Sequence, residues 1–382
     1  MLLLSLRNKV FRQRRISLWL IIFTIGLFLG AVFLSGIGED NDKSIGVNPI
    51  DPIMVLLSSF SLEEKIGEMF LFGFENARVE EWAGEFLGTK NIGGVLLLKN
   101  NIEDESKLRQ MIEKLNSAKK RTDAPLFIAV DQEGGAVSRV YFAKEKTGNR
   151  KIKNEEMAQD VGLRRAVELK EFGINTNLAP VADFTEDTRS FLYERTFGGD
   201  VKTVANLEAA MIRGQKTGGI FSTAKHFPGH GVSITDSHKL MPVSNITKEE
   251  LQKIHLTPFA AAIQAGVEMV MAAHLLLPNI DNAPVPFSII FLRDILRHDL
   301  GFNGIILTDD LNMGAISNSY AIEEAVVRAI EAGVDMALIA GTREKQRVAY
   351  NALLEAARSG KISEERINAS VYRILKLKYE IL

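Results

Sequence analysis

Eight short apolar runs separated by longer amphipathic stretches constrain this chain more than any other feature. They are EMFLFGF (68–74), GGVLLLK (93–99), PLFIAVD (125–131), INTNLAPVADF (174–184), GIFSTAKHF (219–227), EMVMAAHLLL (268–277), GIILTDD (304–310) and VDMALIAG (334–341). Runs of this length between helical segments such as 245–265 and 343–359 are the order of a parallel α/β fold, because parallel strands are buried on both faces and need a crossover between them. Eight units between residues 51 and 382 fit a (β/α)8 barrel. A doubly wound sheet usually has fewer strands and carries a GxGxxG fingerprint after the first one, and none stands there.

One further run has a different character. Residues 16–38, ISLWLIIFTIGLFLGAVFLSGIG, contain no charge, and as a helix they would span ~35 Å at ~1.5 Å per residue, enough to cross a bilayer core. Arg7, Lys9, Arg12, Arg14 and Arg15 precede the run, and Glu39, Asp40 and Asp42 follow it. The charge asymmetry predicts a cytoplasmic basic tail (1–15), a transmembrane signal anchor (16–38), a linker (39–50) and a catalytic domain (51–382) held outside the cell at its membrane. A cleaved signal peptide is the rival, although FLSGIGED is a poor cleavage site. The domain itself opens near SLEEKIGEM, where Ser61 and Glu64 have capping-box spacing.

In a barrel, chemistry belongs at the C-terminal ends of the strands. Polar residues gather there: Asp131, Gln132 and Glu133 after the third run, Asp183 after the fourth, Lys225 and His226 after the fifth, His274 in the sixth, and Asp309 and Asp310 after the seventh. A single such Asp is ordinary turn chemistry, but five strand ends sharing the pattern point to a site.

The densest stretch is KHFPGHGVSITDSH (225–238), with His226, His230 and His238. His226 and His230 have the spacing of a helical metal pair, yet Pro228 and Gly229 between them are incompatible with a good helix. Asp236 and His238 place a carboxylate two residues from an imidazole, either as an Asx-turn beside a solvated ring or as a tuned proton-transfer pair. Ser237 between them is badly placed for a serine nucleophile, and GxSxG is absent. The chain has no cysteine, which removes thiolate chemistry, and its net charge of −2 gives no reason to expect a nucleic-acid partner.

Together DQEGGAVSR (131–139), NLAPVADF (177–184), KHFPGHGVSITDSH and ILRHDLGFNGIILTDDLNM (295–313) resemble, in order, glycoside hydrolase family 3, and within it the bacterial β-N-acetylglucosaminidases that act on peptidoglycan fragments. The resemblance implies a retaining hydrolase of β-linked N-acetylglucosamine that works without metal or cofactor, as a monomer on peptidoglycan-derived saccharides. It implies Asp309 as nucleophile, His238 as acid/base and Asp236 as the group that tunes it. Substrate contacts carry over onto Asp131, Arg139, Lys225, His226 and Arg195, the last in YERTFGGD, a looser match. Larger family members take their acid from a second domain, and a chain ending at 382 is expected to find it within the barrel. A phosphorylase remains an alternative, since a neutral imidazole repels phosphate less than a carboxylate does, as does a metal-dependent barrel hydrolase.

Overall fold

The computed structural model describes residues 51–74 and 79–379. Every one of the eight apolar runs contains a strand of a single eight-stranded parallel sheet. The strands are β1 (Phe70–Gly73), β2 (Gly94–Leu97), β3 (Phe127–Val130), β6 (Thr176–Asn177), β7 (Phe221–Phe227), β8 (Met269–Ala272), β9 (Ile305–Thr308) and β10 (Ala337–Ile339). Between β3 and β6 lies a small antiparallel hairpin, β4 (Gln132–Gly134) and β5 (Val137–Ser138).

Sheet order is β10-β1-β2-β3-β6-β7-β8-β9, so each barrel strand pairs with its neighbours in sequence. The ring closes between β9 and β10 through the bridge Leu307–Met336, a 3.2 Å bond from Thr308 N–H to the Met336 carbonyl and a 2.9 Å bond from Leu338 N–H to Thr308 Oγ1. β1, β2, β3, β8, β9 and β10 are buried at every position, as strands covered by helices on one side and barrel interior on the other must be.

Local signals behave as the sequence predicts. Ser61 Oγ accepts from Glu64 N–H at 3.2 Å and Glu64 Oε2 accepts from Ser61 N–H at 3.0 Å, a capping box that starts the helix Leu62–Glu68. The expected helix at 245–265 runs from Lys248 to Gln264 in contiguous helical segments, and that at 343–359 is Arg343–Arg358.

Below the strands, buried carboxylates tie the bottom of the barrel together. Glu68, just before β1, receives Lys119 Nζ at 2.8 Å and Lys378 Nζ, while Asp335, just before β10, receives Arg297, Arg373, Ser370 and the N–H of Ile306. Glu68 and Asp335 are both completely buried. Ion pairs on this face serve the scaffold, since active sites of such barrels sit at the other end.

The expected membrane-spanning helix requires correction. Among the described residues no helix is long and apolar enough to cross a membrane. The helix Val201–Gly218, with 18 residues, is interrupted by Lys202, Glu208, Arg213 and Lys216, and packs one apolar face on the barrel. Among the described residues the architecture is therefore the barrel with no helix that could span a membrane, and the expected single-pass cell-membrane location, with its membrane contact, is not supported. The run 16–38 itself, the tail 1–15 and the linker 39–50 lie outside the described residues.

Candidate active site

The turn after β3 begins the site. Asp131 follows the strand directly, and the β4–β5 hairpin folds Arg139 back so that its N–H reaches the Asp131 carbonyl at 3.4 Å. Gln132 fixes this hairpin from inside, accepting from Val140 N–H at 3.0 Å, and its own N–H donates to Asn177 Oδ1 at 3.0 Å. The Arg139 guanidinium is half-buried and makes no hydrogen bond or ion pair among the described residues. It is a cation left available to a ligand.

Lys225, at the end of β7, joins two carboxylates: its Nζ lies 2.6 Å from Asp131 Oδ1 and 2.7 Å from Glu133 Oε1. Arg195 reaches the same Glu133 with two nitrogens, Nε at 2.9 Å and a terminal nitrogen at 2.8 Å. Glu133 is 1% exposed. Burial would raise its pKa, but the charges of Lys225 and Arg195 outweigh that and hold it well below the usual carboxylate range. Burial likewise pulls Lys225 down, and the carboxylates of Asp131 and Glu133 pull it up further, so the ammonium stays charged. Four residues from three segments thus form one network that fixes two cations and leaves Asp131 partly open.

His226, the next residue, faces another partner. Its Nδ1 is 2.7 Å from Asp183 Oδ2, and its backbone N–H donates to the same oxygen at 3.1 Å. The other Asp183 oxygen accepts His230 N–H at 2.6 Å. Burial opposes the charge of this completely buried carboxylate, His226 favours it, and the net pKa is lowered. An ionised Asp183 only accepts, so Nδ1 of His226 carries a proton and Nε2 is free for a ligand. His230 does not join His226 as a ligand pair: the ring centroids are 6.1 Å apart, both His230 nitrogens lack partners, and burial pushes its pKa down to about 4.

Asp309 and Asp310 end β9. Asp309 N–H donates to the Ala272 carbonyl at 3.1 Å, and Asp309 Oδ1 accepts Asp310 N–H at 2.8 Å. Burial raises the Asp309 pKa, but His274, His226, the Asp310 N–H and Lys225 together leave it below the ordinary value. For Asp310, burial leads and the charge of Asp309 adds to it; although Asn312 and Ala340 N–H groups oppose them, its pKa is raised to about 6. His274 is fully buried, and its Nε2 lies 2.8 Å from the Asp310 carbonyl. Since a carbonyl only accepts, Nε2 bears the proton and the ring fixes the main chain beside Asp309.

Asp236 and His238 lie on the loop after β7. Oδ1 of Asp236 accepts both the His238 N–H, at 3.0 Å, and the ring Nδ1, at 2.8 Å. The Asx-turn and the carboxylate–imidazole pair are therefore one arrangement: the turn aims the ring, and Nε2 points away from the carboxylate. Burial acts to raise the Asp236 pKa, but bonds from His238 outweigh it and keep the carboxylate ionised. The His238 side chain is 65% exposed.

Thus the predicted residues assemble at the strand ends as Asp131, Arg195 and Lys225 in one network, His226 beside it, Asp309 at the end of β9, and Asp236 with His238 on the loop above. Glu133, Asp183 and His274, noted in the sequence as strand-end polar residues but given no catalytic or binding role, complete the site. Their signal was present, since each sits at or just after a strand end.

A family model for the glycosyl hydrolase family 3 N terminal domain matches residues 61–377. A beta-hexosaminidase of Thiobacillus denitrificans is 36% identical over 258 residues, covering 65% of this chain and 71% of that protein. One of Chromobacterium violaceum is 32% identical over 307 residues, covering 78% and 80%. Among solved structures, a glycoside hydrolase family 3 beta-N-acetylglucosaminidase from Paenibacillus sp. str. FPU-7 superposes with a TM-score of 0.81 at 34% identity over 84% of this chain. The chain spans 63% of that longer one, less than two thirds of its length.

Proposed function

Because the chain belongs to glycosyl hydrolase family 3 and is a glycoside hydrolase related to β-hexosaminidases, we propose that it releases terminal β-linked N-acetylglucosamine from peptidoglycan fragments with retention of configuration. Asp309 attacks the anomeric carbon while His238 gives its Nε2 proton to the departing glycosidic oxygen. A glycosyl–Asp309 ester results. His238, now neutral at Nε2, takes a proton from water as that water attacks the anomeric carbon, and Asp309 is released as carboxylate.

The observation that carries this reading is the division of labour at the mouth of the barrel. Asp309 is held ionised beside an Asp310 whose pKa is raised to about 6, and an exposed imidazole is aimed by Asp236 at 2.8 Å. Asp131, Arg139, Arg195, Lys225 and His226 supply hydrogen-bond partners for sugar hydroxyls and an N-acetyl group. The peptidoglycan origin of the substrate rests on the motif resemblance.

The test compares an aryl β-N-acetylglucosaminide with the matching β-glucoside, using purified full-length protein in phosphate buffer and identifying the released sugar. Preference for the N-acetyl substrate with free N-acetylglucosamine as product is expected. Equal rates overturn the substrate class, and sugar 1-phosphate as product replaces hydrolysis with phosphorolysis.

A further inference from the structure

The loop that carries His238 does not hold its place alone. Three consecutive carbonyls of that loop are each taken by a donor from the segment that follows Asp309 and Asp310. Ala315 N–H donates to the Ser237 carbonyl at 3.1 Å, Gly314 N–H to the His238 carbonyl at 3.1 Å, and Asn318 Nδ2 to the Lys239 carbonyl at 2.9 Å. Gly314 and Ala315 open the short helix Gly314–Ser317, so their N–H groups are first-turn donors with no acceptor inside the helix. The loop supplies the missing acceptors.

Contact is close enough to exclude a side chain. A Cβ on Gly314 would lie 2.4 Å from the Lys239 carbonyl oxygen and 2.9 Å from that of His238. The Gly314 backbone has ordinary dihedral angles, so glycine is required here for the approach of the loop and not for the turn. Ser237 is 2% exposed, whereas His238, Lys239 and Leu240 stand out in solvent. The platform grips only the backbone, and the His238 ring, aimed by Asp236, is left out of that grip.

The platform is itself fixed to the nucleophile. Asp310 Oδ1 accepts Asn312 N–H and Ala340 N–H, each at 3.0 Å, and its carbonyl accepts Met313 N–H at 2.9 Å. One stretch of nine residues, from Asp310 to Asn318, thereby connects Asp309 to the loop of His238.

We infer that Gly314 and Asn318 are positioning residues that set where His238 stands relative to Asp309, by gripping the main chain of the His238 loop. The inference rests on the reading of His238 as acid/base. Proton delivery to a leaving oxygen demands hydrogen-bond reach, so a loop displaced by a Cβ loses general acid catalysis first, while attack by Asp309 continues.

The experiment measures kcat and KM of the full-length protein and of Gly314→Ala, Asn318→Ala, His238→Ala and the Gly314→Ala/His238→Ala double variant. Two substrates are used, a dinitrophenyl β-N-acetylglucosaminide and a β-linked N-acetylglucosamine disaccharide, with a pH profile and a melting temperature for each protein. A strongly activated aryl group leaves without protonation, whereas a sugar does not. Gly314→Ala should lower kcat on the disaccharide about 10-fold or more while formation of the glycosyl-enzyme from the dinitrophenyl substrate stays fast. Asn318→Ala should act in the same direction and more weakly, and the double variant should resemble His238→Ala. The added Cβ meets backbone, so the melting temperature of Gly314→Ala should fall, and all rates are compared at a temperature where every variant is folded.

If His238→Ala shows the selective loss but Gly314→Ala and Asn318→Ala do not, or lose both substrates equally, the positioning role is overturned while the acid/base reading stands. If His238→Ala itself loses both substrates equally with no burst of aryl release, the acid/base reading falls and this inference falls with it.

Discussion

Asp309 and Asp310 are joined by a hydrogen bond within their own dipeptide, the Asp310 N–H donating to Asp309 Oδ1 at 2.8 Å, and their pKa values are driven apart. The bond and the nearby imidazoles favour the anion on Asp309. Burial foremost, with that anion adding to it, makes the second negative charge unfavourable, so Asp310 holds its proton up to a pH of about 6.

Exchanging each carboxylate for its amide separates the two roles. Asp309→Asn should cost at least about 10³-fold in kcat/KM on an aryl β-N-acetylglucosaminide with an unchanged circular dichroism spectrum. Asp310→Asn keeps the Oδ1 acceptor for Asn312 and Ala340 and should cost about 10-fold or less. A reversed ranking would move the nucleophile by one residue.

Stability should depend on pH through Asp310. Its pKa is raised from 3.8 to about 6 on folding, so the folded state binds this proton more tightly than the unfolded chain. The resulting stabilisation is complete below 3.8 and fades as pH rises through about 6. Melting temperatures of the wild type and Asp310→Asn, followed across that window, should converge in slope above it, with the decline smaller in the variant. An equal decline in both proteins would place the titration elsewhere.

Glu133→Gln should reduce both stability and substrate affinity, because it removes the carboxylate that Arg195 bonds and leaves Lys225 with Asp131 alone. Denaturant unfolding is expected to show a loss of about 3 kcal/mol, and KM should rise. A variant with normal KM would reduce Glu133 to a scaffold ion pair.

Glu68→Gln provides the contrast at the opposite end of the barrel. Lys119 and Lys378 would remain buried without their anion, and about 3–5 kcal/mol of stability should be lost. At a temperature where the variant is folded, kcat/KM should match the wild type, since nothing at Glu68 reaches the strand ends that hold Asp309 and Lys225. A fall in kcat/KM measured there would show that the two faces are coupled.

How much of this could be read from the chain depends on the range of each interaction. Asp236 and His238 are two residues apart, and their pairing is a property of one turn, visible in the letters DSH. The strand-end placement of Asp131, Lys225, His226 and Asp309 follows from local apolar runs and the rule that polar residues follow them. The membrane-spanning expectation came from a local run as well, and the described residues contain no helix that supports it.

The sequence by itself determined the number and order of the strands, because burial on both faces leaves an unbroken apolar run that can be counted. It also determined which polar residues end those strands. Only the tertiary structure decided that Glu133 answers Arg195 across 62 residues, that Asp131 answers Lys225 across 94, and that Gly314 grips the loop of His238. Those partners are chosen by closure of the barrel, which brings strand ends from distant parts of the chain within hydrogen-bond range. No pattern along the chain encodes that distance.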